Sequence, residues 1–280
     1  MAVGVPEPDV AIDPLAGRRP GDDAVGDRLR VVDPDPEARG RRRRRTAAFK
    51  RPEGELPGMG MKGSGTADLT SIDRFDGGVG WLAYPEETMR RASHAIESDG
   101  QLWVVDPVDA DGVDDLIAEY DEVGGVVVLL DRHERDAATV ATRHDVPVYV
   151  PDWMSGVEDG LDAPVVRVSD GVGEFALERV VDNPFWQEAA LFDGETLVVP
   201  EALGTVSYFR APGERLGVHP MLRAVPPRSL TGYDADRLLV GHGEGLSEDV
   251  RPAIRDAVGG SRRRMVPLYL DNLRGLVGLG

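Results

Sequence analysis

The chain contains no cysteine, which removes disulfide scaffolds, thiolate metal sites and cysteine nucleophiles from consideration. Lysine is nearly absent: only Lys50 and Lys62 are lysines, so 30 of the 32 cationic residues are arginine. These stand against 50 Asp and Glu, a formal net charge of -18 over 280 residues. A surface that neutralises phosphates needs an excess of cations, so a nucleic-acid partner is disfavoured. No run reaches the ~18 consecutive apolar residues of a membrane helix, and no apolar stretch near the N-terminus resembles a signal peptide. The sequence therefore points to a cytoplasmic protein without a membrane partner. No G-x-S-x-G occurs, so a serine-hydrolase elbow is without support. Abundant carboxylate with so little lysine reads as a halophilic surface, because a Debye length of ~3 Å at 1 M salt screens the self-repulsion. GC-rich coding is the competing explanation of the arginine bias.

Residues 1–66 differ from the remainder. They are rich in proline, carry a run from Arg41 to Arg45, and have no sustained helical or strand periodicity. Charge is nearly balanced over residues 1–45, with 10 cations and 9 acids, so the deficit lies in the rest of the chain. Such a segment cannot bury enough apolar surface to offset its conformational entropy, and a disordered N-terminal arm is expected. An over-extended gene start is an alternative, since Met59 and Met61 precede the patterned region. The glycine-rich stretch from Gly58 to Gly65 lacks the G-K-[S/T] ending of a phosphate loop.

Residues 67–280 form one domain-sized unit in which strands and helices alternate. Strands are expected at Gln101 to Asp106, Gly125 to Leu130 and Val146 to Val150, with helices at Val113 to Tyr120 and Arg132 to Arg143. This β-α-β-α-β order implies a parallel or mixed sheet covered by helices. Further strands are expected at Pro164 to Val168, Glu174 to Val181, Ala189 to Phe192, Thr196 to Val199 and Arg237 to Val240. Asp193-Gly194 is a hairpin signal between two of them. Helices over Ser247 to Val258 and Met265 to Val277 close the chain.

Three strands end in polar residues, at Asp106-Pro107, at Asp131 to Asp136 and at Gly241 to Gly245, and such ends are where α/β proteins build sites. Each candidate also has a structural reading. Asp131 and Glu134 have the spacing of a capping box. Arg132 and Asp136 would pair as i and i+4 on one helix. His133 reads first as a surface or hydrogen-bonded histidine. His242 lies between two glycines, which let backbone approach a ligand closely. Trp153, Phe185 and Trp186 read as core or lid residues before pocket residues.

The succession Ser93-His94-Ala95-Ile96, WVVDP at 103–107, VVVLLDRHERDA at 126–137 followed by VPVYVP, DGETLVVPEALG at 193–204 and LLVGHGEG at 238–245 resembles the metallo-β-lactamase superfamily over about residues 75–260. The resemblance implies an αβ/βα sandwich, with two mixed β-sheets flanked by helices. It also implies a T-H-x-H-x-D-H strand end, a bridging aspartate on a later strand and a final histidine. With the motif's aspartate aligned to Asp136, Arg132 and Glu134 fall on its first two histidines, Ala137 on its third, Glu201 on the bridging aspartate and His242 on the last histidine. Its intervening histidine has no counterpart in Val181 to Leu191. Most of the family's ligands are therefore absent, and a standard dizinc hydrolase is not expected.

The reading that follows is a non-catalytic or ligand-binding descendant of that family with no cofactor, taking a small-molecule or anionic ligand. The anion would meet Arg132, His133 and the start of the helix expected from 132. The alternative is a metal-dependent hydrolase in which Glu134, Asp136, Glu201 and His242 form an oxygen-rich site for Mn, Fe, Mg or Zn. The candidate cleft comprises Asp131, Arg132, His133, Glu134, Asp136, Glu201 and His242. Oligomeric state is not legible in the sequence.

Overall fold

The structure, a computed structural model, describes residues 31–32, 61–63 and 67–276. The arm expected over 1–66, including the arginine run, lies almost wholly outside the described residues. Its exceptions are residues 61–63 and β1 (Val31–Val32), which pairs antiparallel with Val165 and Val166.

The first sheet continues with β2 (Thr70–Phe75), β3 (Gly78–Leu82), β4 (Ala92–Ser98), β5 (Gln101–Val105), β6 (Val123–Val127), β7 (Val148–Pro151) and β8 (Val165–Val168). Its spatial order is β1-β8-β7-β6-β5-β4-β3-β2. Strands β2 to β5 form an antiparallel meander, whereas β5 to β8 are parallel. The parallel part is where the sequence alternates strand with helix, because only a crossover connection can return the chain in the same direction. The second sheet holds β9 (Gly171–Val172), β10 (Phe175–Asn183), β11 (Trp186–Phe192), β12 (Thr196–Val199) and β15 (Arg237–Val240), in the order β15-β12-β11-β10-β9. Between β12 and β15 a small ladder joins β13 (Leu203–Gly204) to β14 (Gly217–Val218). The Asp193-Gly194 signal is realised as the β11–β12 hairpin, in which Gly194 takes φ 103° and Asp193 Oδ1 accepts from Glu195 N and Thr196 N.

Side-chain alternation along the strands produces the layers. On β5, Leu102 and Val104 pack outward beneath α1 (Val113–Ile117) and α2 (Ala137–His144), while Trp103 and Val105 point between the sheets. Val198 and Leu239 of the second sheet meet them there. Leu197, Val199, Leu238 and Val240 point the other way, under α3 (Val250–Gly260). The result is the expected αβ/βα sandwich with three apolar layers. Helix α4 (Met265–Leu276) closes the described chain. No helix among the described residues is long and apolar enough to cross a membrane.

The expected helix over Arg132 to Arg143 requires a correction: α2 begins only at Ala137. The preceding residues are used in turns, with Arg135 at φ 40° and His133 N donating to Leu130 O. The expected capping box and the Arg132–Asp136 helical pair therefore do not form. Likewise α1 stops at Ile117 rather than Tyr120, whose hydroxyl instead donates to Gly78 O on the neighbouring meander.

Candidate metal centre

Parallel pairing puts the carboxyl ends of β5 and β6 together in one sheet and those of β12 and β15 together in the other. Asp106 follows β5, His133 lies in the turn after β6, Glu201 follows β12 and His242 follows β15. A fifth residue, His219, follows β14. Gly241 allows the two second-sheet ends to touch, because a Cβ there would lie 2.1 Å from Pro200 O. This close approach sets His242 beside Glu201.

The side chains converge on one carboxylate. Glu201 Oε2 lies 2.9 Å from His133 Nε2 and 2.9 Å from His242 Nε2, and Glu201 Oε1 lies 3.3 Å from His219 Nε2. Asp106, His133, Glu201, His219 and His242 are all buried. His133, Glu201 and His242 can each offer one ligand atom within 4.8 Å of the others, the spacing of a cation site.

The far sides of the imidazoles decide their roles. His242 Nδ1 lies 2.8 Å from Met89 O, a carbonyl that can only accept, so Nδ1 carries the proton. His133 Nδ1 lies 3.0 Å from Asp106 Oδ2, which fixes the same tautomer. Neutral His133 and His242 thus both present an Nε2 lone pair to Glu201 Oε2, an arrangement that needs a proton on each nitrogen or a cation between the groups. His219 is the reverse: its Nδ1 accepts from Met221 N (3.2 Å), so Nε2–H faces Glu201 as a donor. Burial lowers His219 to about 4, against the pull of Glu201, which keeps it neutral at neutral pH. Burial pushes Glu201 up, but His242 and His133 outweigh it and hold the carboxyl well below the usual range. His133 is pushed down by burial and by Arg135, yet Asp106 and Glu201 leave it raised overall.

Beneath these groups lies Glu188, fully buried. It accepts from Trp186 Nε1 (2.7 Å), Glu201 N (3.0 Å) and Ala202 N (2.7 Å). Burial pushes it up to about 7 in spite of those hydrogen bonds. Aromatic rings enclose the cluster: Phe209 stacks on His242 at 5.2 Å, and Trp186 meets His219 edge-on at 4.9 Å.

Of the cleft residues expected from the sequence, the structure brings together His133, Glu201 and His242 and places the other four elsewhere. Asp131 Oδ2 accepts from Gln187 N (2.8 Å), clipping the end of β6 to β11. Arg132 is exposed, pairs with Asp131 (3.0 Å) and lies over the Trp186 ring at 4.2 Å. The Glu134 carboxylate lies against Gly160, and Asp136 Oδ2 accepts from Asp109 N (2.8 Å). His133 is buried in the cluster rather than at the surface. The difference is a motif register of one residue. Sliding T-H-x-H-x-D-H back by one puts Asp131 and His133 on its first two histidines and Arg135 on its aspartate. Each register has one identity in kind, Asp136 in the first and His133 in the second, and choosing the aspartate fixes the wrong register. Trp186 borders the site, whereas Phe185 is 87% exposed.

Three participants escape sequence reasoning. The first is His219, which sits in GVHP at the end of a two-residue strand and follows Glu201 in the chain, outside the stretch from 181 to 191. With only five histidines in the chain, weighing every histidine at a strand end is the signal that finds it. Glu188 lies within an apolar strand. Arg135 is a cation at a position where the pattern calls for an acid. Its Nη1 donates to Ala92 O (2.8 Å) and Asp106 O (2.7 Å), and its Nη2 lies 3.3 Å from His133 Nε2.

No family model matches the sequence, and no curated protein matches it. Solved structures do. A mutant flavo-di-iron protein from Thermotoga maritima matches with TM-score 0.50 and 15% identity, over 70% of this chain and 63% of that one. A flavodiiron core from Synechocystis matches with TM-score 0.51 and 12% identity, over 70% of this chain and 62% of that one. The DIM-1 metallo-β-lactamase matches with TM-score 0.49 and 12% identity, over 71% of this chain and all of that one. The fold is that of the metallo-β-lactamase superfamily. Identity this low attests the fold alone.

Proposed function

We propose that this protein is a single-metal member of its fold, holding one divalent cation on His133 Nε2, His242 Nε2 and the Glu201 carboxylate. The observation that carries the reading is the pair of histidine tautomers. Asp106 and Met89 O each fix a proton on Nδ1, leaving two lone pairs aimed at one carboxylate oxygen. Hydrogen bonds of this kind on the far nitrogen orient a metal-ligating imidazole and raise its basicity. Two nitrogens and a carboxylate suit Zn, Fe or Mn better than Mg, which prefers an all-oxygen shell. Asp136 and Glu134, held elsewhere, are not part of the ligand set. His219, protonated on Nε2, acts as a donor that orients Glu201. A bound ion of this type supplies Lewis acidity and lowers the pKa of a coordinated water.

A metal-free ligand-binding protein is the second reading, favoured by Arg135 and a protonated His133 balancing Asp106 and Glu201. Titration of chelator-treated, full-length protein separates the two. One equivalent of metal should bind and raise the melting temperature by mass action. His133→Ala, His242→Ala and Glu201→Gln should each abolish this, and Asp106→Asn should weaken affinity by about 10–100-fold. Absence of metal binding, or binding indifferent to these changes, would sink the single-metal reading.

A further inference from the structure

We infer that Arg135 is the receptor for an oxyanion, a carboxylate or phosphate group, that enters this centre together with the cation. The inference rests on the single-metal reading. Arg135 has five N–H donors, and its two edges are used unequally. Nη1 is engaged by two backbone carbonyls, Ala92 O and Asp106 O. Nε is buried and has no partner among the described residues. Among the described residues Nη2 reaches only His133 Nε2 at 3.3 Å and Gly241 O at 3.5 Å, the longest contacts of the group. The edge left wanting is Nε with Nη2, the side of a guanidinium that grips a carboxylate or phosphate through two parallel hydrogen bonds.

Loading the metal sharpens that want. Once His133 Nε2 gives its lone pair to a cation, Nη2 loses its nearer acceptor and keeps only the 3.5 Å contact with Gly241 O beside the unpartnered Nε. Charge points the same way. With Asp106 and Glu201 ionised and the imidazoles neutral, a divalent cation and Arg135 leave one positive charge uncompensated. A monoanion in contact with both would cancel it and supply the missing acceptors. Arg135 also holds φ 40°, a left-handed backbone that is uncommon for a long side chain and that concentrates at binding and catalytic sites.

Cation and anion must therefore bind cooperatively and reciprocally. Calorimetric titration of metal-free, full-length protein with Mn²⁺ is run alone, in saturating acetate and in saturating inorganic phosphate, at constant ionic strength. At least one of the two anions should strengthen metal affinity by about fivefold or more, and metal should strengthen that anion's affinity by the same factor. Acetate acting alone assigns a carboxylate ligand, and phosphate acting alone assigns a phosphoryl ligand. Arg135→Met should keep anion-free metal binding and lose the coupling. Arg135→Lys, which restores charge without the fork, should recover only part and serves if the methionine variant does not fold. Metal affinity unaffected by either anion, or coupling that survives in both variants, overturns the anion receptor and leaves the single-metal reading standing. Absence of metal binding overturns both.

Discussion

Arg223 is fully buried and Arg135 half-buried with a buried Nε, and these two cations are satisfied to opposite degrees. Every guanidinium nitrogen of Arg223 has an acceptor: Nε on Val218 O (3.1 Å), Nη1 on Glu214 Oε1 (3.2 Å), and Nη2 on Phe209 O and Glu214 Oε2. Glu214 in turn accepts from Ala211 N (2.7 Å) and Arg264 Nη1 (3.2 Å). This closed network ties together the loop that carries Phe209 and His219, and so sets the aromatic wall of the metal centre. Arg135 has an idle Nε and a poorly used Nη2 beside His133. A saturated buried ion pair has nothing left to offer a ligand, and its role is to hold the chain. An unsaturated one keeps a free-energy penalty that an incoming acceptor can relieve.

The largest expected effect breaks this comparison directly. Arg223→Met leaves Glu214 buried with Arg264 as its remaining cationic partner, and breaking a buried ion pair by removing one member costs about 3–5 kcal/mol. Arg135→Met removes a cation whose hydrogen bonds are mostly to neutral carbonyls, and each such bond is worth about 1 kcal/mol net, so the loss should stay near 2 kcal/mol or below. Denaturant unfolding of the two metal-free variants makes the measurement. Equal losses would show that Arg135 is as structural as Arg223.

The same contrast holds between carboxylates. Glu214 faces two arginines, whereas Glu188 faces only neutral N–H donors and is raised to about 7. A raised acid stabilises the fold fully below its unfolded value, near 4.5, and loses that contribution as pH rises through its folded value. His219 works in the opposite sense: lowered to about 4, it makes stability rise with pH up to its unfolded value near 6.5. The two partly cancel in the native protein. Glu188→Gln removes one of them, so the variant should gain on wild type by an amount on the order of 3 kcal/mol between pH 4.5 and 8. A constant difference across that range, in metal-free protein, would contradict a protonated Glu188.

Which parts are legible in the sequence follows from the range over which each signal acts. Thr196–Val199 and Arg237–Val240 are legible to the residue, because a buried strand is a short apolar run bounded by turn residues. The Asp193-Gly194 hairpin is likewise local. Strand ends are then legible as polar residues after apolar runs, and that is what marks His242. The register after β6 is not legible, because one matching aspartate competes with a one-residue slip, and burial that decides between them is set by Glu201, 68 residues away along the chain. His219 and Arg135 depend on the same long-range convergence, since neither has a local pattern that distinguishes a site residue from a surface one. The start of α2 fails for another reason: Asp131 has the spacing of a cap but is spent on the backbone of Gln187.

The smallest effect is expected from a third arginine, Arg132, and it tests whether depth or mere proximity defines the site. Arg132 lies over the Trp186 ring at 4.2 Å, and Trp186 touches His219, so a stack runs from solvent to the metal centre. The Arg132 side chain is nevertheless 42% exposed, and its ion pair with Asp131 spans adjacent residues. Exposed cation–π contacts and surface ion pairs each contribute about 0.5–1 kcal/mol at most, because water competes for the charge. Arg132→Ala should therefore cost no more than about 1 kcal/mol and leave metal affinity within roughly threefold of wild type, a change under about 0.7 kcal/mol. It should also leave the anion coupling intact, in contrast to Arg135→Met. If Arg132→Ala instead removed the coupling, the anion would sit against the exposed guanidinium over Trp186. The buried edge of Arg135 would then have to be explained without a ligand.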